Sequence, residues 1–255
     1  MTRRWAYLDH PGPLAFAHRG GAGEFPENTM LAFESAVRLG YRYLETDVHA
    51  TSDDVLVAFH DDVLDRLTDR TGRIRDLPWS EVSQARIDGE PIPLLDDILA
   101  AWPAARVNID AKADTSLGPL VEVIERTAAH DRVCVGAFSN RRLRRFRRMT
   151  GGRVCTSTGP LSTARLRVAS YGLPTWPFRA GCVQVPVRRG PVRLVDPRFV
   201  AAAHRRGLQV HVWTIDDPQE MDRLLDLGVD GIMTDRPAAL RGVLERRGQW
   251  AGTGG

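Results

Sequence analysis

Several short apolar runs in this sequence end in, or carry, side chains that can do chemistry. One run ends Ala17-His18-Arg19, a second contains Glu45-Thr46-Asp47, a third ends Phe59-His60-Asp61, and a fourth reads Asn108-Ile109-Asp110-Ala111-Lys112. In a β-strand, residues two apart point to the same face. Glu45 and Asp47 therefore share a face, and so do Asp110 and Lys112. If those faces meet, three carboxylates converge with no cysteine or histidine ligand set beside them, which describes a hard-cation site for Mg²⁺ or Ca²⁺. Unpaired, the three charges resist burial; ordinary ion pairs with arginine are the other way to hold them. Lys112 places a positive charge where an anionic substrate can sit, or it bridges to one of the acids. His18 and His60 have the residue type for a general acid and a general base. Arg19 offers a forked donor to a phosphate. A divalent cation, two imidazoles, an arginine and a lysine together suit a phosphate ester. Trp213 is either a core residue or a wall of the substrate cleft. His49 and His211 share parity with Asp47 and Trp213, which gives them a supporting or structural place.

These residues need a frame that gathers them. Eight runs read as strands: Leu14–Ala17, Tyr43–Val48, Val107–Ile109, Val133–Phe138, Val154–Thr156, Cys182–Val185, Val210–Trp213 and Gly231–Met233. Between them, Asn28–Leu39, Leu117–Ala129, Asn140–Met149, Pro197–Arg206, Pro218–Leu227 and Pro237–Arg246 carry apolar residues at helical spacing. Asn28, Asn140, Asp196-Pro197 and Asp217-Pro218 are helix-start signals, and Gly40, Gly207 and Gly228 are stop signals. The alternation predicts an α/β fold, a (β/α)8 TIM barrel whose functional groups sit at the C-terminal ends of the strands. A polar turn, Thr51-Ser52-Asp53-Asp54, followed by Val55–Phe59 reads as a hairpin after the second strand. Residues 61–98 then form a small polar insertion on the barrel mouth. The expectation is one domain over residues 1–255, with a frayed tail from Trp250 to Gly255.

Composition narrows the class further. The chain has 255 residues, 43% hydrophobic and 26% charged, so a large core needs no disulfide framework. No apolar run approaches the ~18–20 residues of a membrane helix, and Asp9, His10, Pro11 and Pro13 interrupt any secretory h-region. Cys134, Cys155 and Cys182 have no CxxC spacing and read as small core residues in a reduced, cytoplasmic setting. The formal charge is +3, and Lys112 is the only lysine among 35 basic residues. That arginine excess is either composition bias or a sign of phosphate or nucleic-acid contact. Its densest run, Arg141 to Met149, puts Leu143, Phe146 and Met149 three apart, so it reads as a helix with one apolar stripe and a solvated face, and no nucleic-acid partner is expected.

The ordered set His18-Arg19-Gly20, Glu27-Asn28-Thr29, Glu45-Thr46-Asp47-Val48, Phe59-His60-Asp61-Asp62, Leu64-Asp65-Arg66-Leu67-Thr68, Thr71-Gly72, Ile92-Pro93-Leu94, Asn108–Lys112 and Val229 to Pro237 resembles the glycerophosphodiester phosphodiesterases. The matches run from about residue 14 to 237. The resemblance implies a (β/α)8 barrel and hydrolysis of a small-molecule glycerophosphodiester to glycerol 3-phosphate and an alcohol. By position it implies His18 and His60 as the acid–base pair, Glu45, Asp47 and Asp110 as holders of Mg²⁺ or Ca²⁺, and Arg19 and Lys112 as phosphate binders. Glu27 and Asn28 would support the site, and Trp213 would line the cleft. Many relatives carry Glu at the position of Asp110, whose side chain is one methylene shorter. A lysophospholipase D-like activity on monoacyl lipids is the alternative. It needs an apolar groove at the mouth, for which Tyr171, Leu173, Trp176, Pro177 and Phe178 are the candidates. A phosphate- or nucleic-acid-binding barrel without turnover is a third reading. The sequence leaves the oligomeric state open.

Overall fold

A computed structural model describes residues 5–252. Eight parallel strands, each followed by a helix, form its frame: β1 (Leu14–Ala17) and α1 (Met30–Arg38), β2 (Tyr43–Ala50) and α2 (Leu95–Ala101), β3 (Arg106–Ala111) and α3 (Leu117–Arg126), β4 (Val133–Gly136) and α4 (Asn140–Met149), β5 (Cys155–Thr156) and α5 (Pro160–Ala169), β6 (Cys182–Val185) and α6 (Pro197–His204), β7 (Gln209–Val212) and α7 (Pro218–Asp226), β8 (Gly231–Thr234) and α8 (Pro237–Arg246). The strands pair in the order β5-β4-β3-β2-β1-β8-β7-β6. A parallel bridge between Ser157 and Cys182 joins the two ends. The result is the expected (β/α)8 barrel. After β2 the chain turns back, and Leu56–Ala58 pairs antiparallel with it. The excursion that follows packs its own small core, which includes Phe59, Leu64, Ile74, Val82 and Ile87.

Apolar side chains of β3 and β4, such as Ile109 and Val135, pack among those of α3 and α4, including Leu120, Ile124 and Phe146. The base of the barrel is filled by Tyr7, Phe16, Tyr43 and the three cysteines, all of them free thiols. Asp196 and Asp217 cap α6 and α7 as expected, each accepting a backbone N–H. Gly40, Gly207 and Gly228 take positive φ near the helix ends.

Other local expectations need correction. Thr29, not Asn28, caps α1, and Ser139, not Asn140, caps α4. The insertion is shorter than 61–98, because α2 begins at Leu95. Helices α2 and α5 escape a reading by periodicity: α2 hides at the end of the polar insert, and α5 interleaves Ser162, Thr163, Arg165 and Arg167 with its apolar residues. Met149 is 40% exposed, so the α4 stripe is Leu143 and Phe146 alone. Trp250 is not frayed; its ring meets Tyr41 edge-on at 5.2 Å. Residues 1–4 and 253–255 of the expected terminal segments lie outside the described residues. Among those described, no helix is long and apolar enough to cross a membrane.

Candidate active site

The mouth is built where β1, β2, β3 and β8 end. Asp47 and Asp110 are direct partners in the parallel register of β2 and β3, and Glu45 lies one step below on the same face of β2. All three carboxylates are buried. His18 follows β1 in a tight turn. Its Nδ1 meets Asp235 Oδ1 at 2.7 Å, and its Nε2 stands 3.8 Å from Glu45 Oε2. Asp235 follows β8, the neighbour of β1, so closure of the barrel brings together residues 217 apart in sequence. His60 follows the hairpin strand and is held the same way, with Nδ1 2.6 Å from Asp61 Oδ1. His49 Nε2 contacts the His60 carbonyl at 3.1 Å and supports that loop from behind.

The basic residues knit these groups together. Arg19 donates its backbone N–H to Glu45 Oε2 at 3.0 Å, directs Nη1 to Glu27 at 3.0 Å and sets Nε 3.1 Å from Asp47. Arg66 joins Glu27 to Asp61. Asn28 takes φ +58, which withdraws it from the helix. Its amide donates to Asp47 at 3.3 Å, and its oxygen accepts from Thr46 at 2.8 Å. Lys112 Nζ lies 2.7 Å from Asp47 and 2.8 Å from Asp110. Trp213 is half-buried and meets exposed Phe138 edge-on at 5.9 Å. Lys112 Nζ stands 5.9 Å from the centre of that Phe138 ring, so the cleft has an aromatic wall beside its lysine.

The charges are strained against one another. Burial and the neighbouring Asp47 push Glu45 up to about 7. Burial acts on Asp47 too, but Lys112 and Arg19 outweigh it and hold Asp47 below the usual carboxylate range. Burial works against a charged His18, yet Glu45 and Asp235 raise its pKa above that of an ordinary imidazole. The Arg66 hydrogen bond lowers Asp61 to about 2, so Asp61 is a fixed anion behind His60.

Among the described residues, no three His, Cys, Asp or Glu side chains are arranged as a finished metal site. Lys112 and Arg19 pair with Asp47 and Asp110, which is the ion-pair alternative raised by the sequence. The donor set still suits a hard cation. Glu45 is a buried acid with too little positive charge near it to keep an ordinary pKa, and buried Asp110 Oδ1 has no hydrogen-bond partner.

Sequence reasoning missed Asp235 and Asp61 as the anchors of the two imidazoles, Arg66 as their link, and Phe138, which was read as the end of a strand. The apolar candidates for a lipid groove are displaced. Tyr171 to Phe178 lie between α5 and β6, and so run to the barrel's base rather than its mouth. Phe178 packs against the core and under Arg165.

Gly20 is fixed by the turn that carries His18 and Arg19. Its φ is +82, and a Cβ there would stand 2.7 Å from the Ala32 Cβ and 2.9 Å from the α1 backbone. Gly20→Ala is expected to lower stability by about 2–3 kcal/mol and to reduce turnover by displacing Arg19. A thermal melt paired with steady-state kinetics checks both effects.

The Glycerophosphoryl diester phosphodiesterase family matches this chain over residues 18–239. The protein named Probable glycerophosphodiester phosphodiesterase 2, of Mycobacterium tuberculosis, is 45% identical over 253 residues, covering 96% of this chain and 96% of its own. The crystal structure of a glycerophosphodiester phosphodiesterase from Agrobacterium tumefaciens superimposes with TM-score 0.75 at 23% identity, covering 89% of this chain and 99% of its own. A phosphodiesterase of Oleispira antarctica, solved in complex with the product sn-glycerol-3-phosphate, superimposes with TM-score 0.77 at 22% identity over 92% of this chain and 97% of its own.

Proposed function

This chain belongs to the glycerophosphoryl diester phosphodiesterase family, and from that membership we propose that it hydrolyses glycerophosphodiesters to glycerol 3-phosphate and an alcohol. The observation that carries the reading is the pair of carboxylate-anchored imidazoles. His18 and His60 each engage an aspartate through Nδ1, which leaves Nε2 of each ring for proton transfer. The sn-glycerol-3-phosphate bound to the Oleispira protein supports the same product here.

In this mechanism one imidazole takes a proton from the attacking hydroxyl, and the other gives a proton to the leaving alkoxide. Attack by water breaks the phosphorus–oxygen bond to the alcohol and yields glycerol 3-phosphate directly. Attack by the substrate's own 2-hydroxyl yields a cyclic phosphate that water then opens. Arg19 and Lys112 bind the phosphate, Trp213 and Phe138 border the glycerol or its head group, and Glu27 and Asn28 hold Arg19 and Asp47 in place. Glu45, Asp47 and Asp110 would hold the Mg²⁺ or Ca²⁺. Once bound, that cation supplies positive charge to the phosphoryl oxygens. The free, buried thiols fit a cytoplasmic enzyme.

Release of glycerol 3-phosphate from glycerophosphocholine tests the reading. Chelation with EDTA is expected to lower the rate at least about 100-fold, with recovery on adding Mg²⁺ or Ca²⁺. Undiminished release in EDTA removes the cation from the proposal. No release with either ion removes the activity and leaves a barrel that binds without turnover.

A further inference from the structure

Arg144, Arg147, Arg148 and Arg179 line a cavity of about 820 Å³, together with Trp5, Gly151, Gly152 and Val154. Trp5 precedes β1, Gly151 to Val154 lead from α4 into β5, and Arg179 leads into β6. The cavity therefore opens at the N-terminal face of the barrel, opposite the mouth that holds His18 and His60. Among the described residues, no carboxylate lines it.

The two ends of α4 treat their arginines differently. Arg141 and Arg142 both pair with Asp114, Arg142 at 2.8 Å. Arg153, beyond the helix, pairs with Glu125. Arg144, Arg148 and Arg179 make no ion pair and no side-chain hydrogen bond among the described residues. Among the described residues, Arg147 donates only to neutral groups, Thr156 Oγ1 at 2.7 Å and Ser157 O at 2.9 Å. Burial lowers its pKa, and the neighbouring Arg179 charge adds to that effect. Arginine-rich composition alone scatters cations among acids, as at Asp114. Here four guanidinium groups share one concavity, and among the described residues no carboxylate pairs with any of them. Their repulsion falls when a group carrying several negative charges enters, and a guanidinium fork matches phosphate oxygens two at a time.

We propose that this basal cavity is a second anion site, separate from the active site, that binds a multiply charged phosphate group presented by a free polyphosphate or by a phosphomonoester lipid headgroup. The arginine run that the phosphodiesterase reading leaves without a role thereby gains one. The helix's own carbonyl end, which favours cations, keeps Arg147 and Arg148 in place while the site is empty.

Calorimetric titration of the full chain with sodium tripolyphosphate at low salt tests this. The variant Arg144→Gln/Arg148→Gln/Arg179→Gln is expected to bind at least about tenfold more weakly. A control variant of equal net charge, Arg38→Gln/Arg198→Gln/Arg205→Gln, is expected to bind as the wild type does. Both are expected to release glycerol 3-phosphate at the wild-type rate, which shows that each is folded. Flotation with phosphatidylcholine vesicles, with and without phosphatidic acid, separates the sources. Retention that needs phosphatidic acid and is lost in the first variant identifies a headgroup. Tripolyphosphate binding without retention identifies a free phosphate. Equal weakening in both variants reduces the effect to general charge attraction and overturns the proposal. So does failure of the wild type to bind either probe, or binding of duplex DNA alone.

Discussion

His18→Ala is expected to lower kcat for glycerophosphocholine about 10²–10⁴-fold while changing KM only a few-fold. The ring belongs to a turn set by Gly20 and Gly21, and its Nδ1 is fixed on Asp235. Its loss removes a proton donor or acceptor without opening the core, because the side chain lies at the mouth. His60→Ala is expected to fall in the same range, and the double variant little further, since the two rings act in one proton relay. Asp235→Asn and Asp61→Asn test positioning rather than proton transfer. Each retains the size of the anchor and removes its charge, so each is expected to cost less than its histidine and to shift the pH profile. Steady-state rates over a range of pH measure all five. If His18→Ala turns over at more than a tenth of the wild-type rate with an unchanged melting temperature, the two-histidine mechanism fails.

The legible and illegible parts of the site differ for a physical reason. Strand parity is local, so it placed Glu45 with Asp47 and Asp110 with Lys112 on common faces. It could not supply the register of β2 against β3, which sets Asp47 directly opposite Asp110. Alternation of strand and helix was enough for the barrel, because each apolar run had to be covered by the next amphipathic helix. The same logic failed at α2 and α5, where polar residues blur the period. Asn28 shows how a sound local rule can misplace a residue. It has the chemistry of an N-cap, but Thr29 beside it takes that role, and Asn28 is free to donate to Asp47. Asp235 was visible only as one residue within the stretch from Val229 to Pro237. Its partnership with His18 follows from closing β8 onto β1, a fact about the whole chain. Phe138 was absorbed into a strand that stops at Gly136. No sequence period separates the last residue of a strand from the first of a loop that lines a cleft.

Lys112→Met is expected to weaken both the fold and the reaction, and the two losses are separable. The lysine ends 2.7 Å from Asp47 and 2.8 Å from Asp110, in a site where both acids are buried. Methionine retains much of the apolar stem and removes the charge. Two in-register carboxylates then face one another with Glu45 close by, and Arg19 remains the single cation among the described residues in contact with Asp47. Breaking a buried pair in this way costs about 3–5 kcal/mol. In EDTA the melting temperature should therefore drop by several degrees. Adding Mg²⁺ or Ca²⁺ should return much of that stability, since an ion on the three carboxylates replaces the missing charge. Turnover should not return with it. If Lys112 also binds the phosphate, kcat/KM stays about 10²–10³-fold below wild type even in saturating cation. Thermal melts in EDTA and in each cation, beside kinetics in the same buffers, read the two effects independently. Recovery of both by the cation would confine Lys112 to neutralising the acids. Loss of neither in Lys112→Met would show that the carboxylates need no charge from this residue, and the phosphate contact assigned to it would have to move elsewhere.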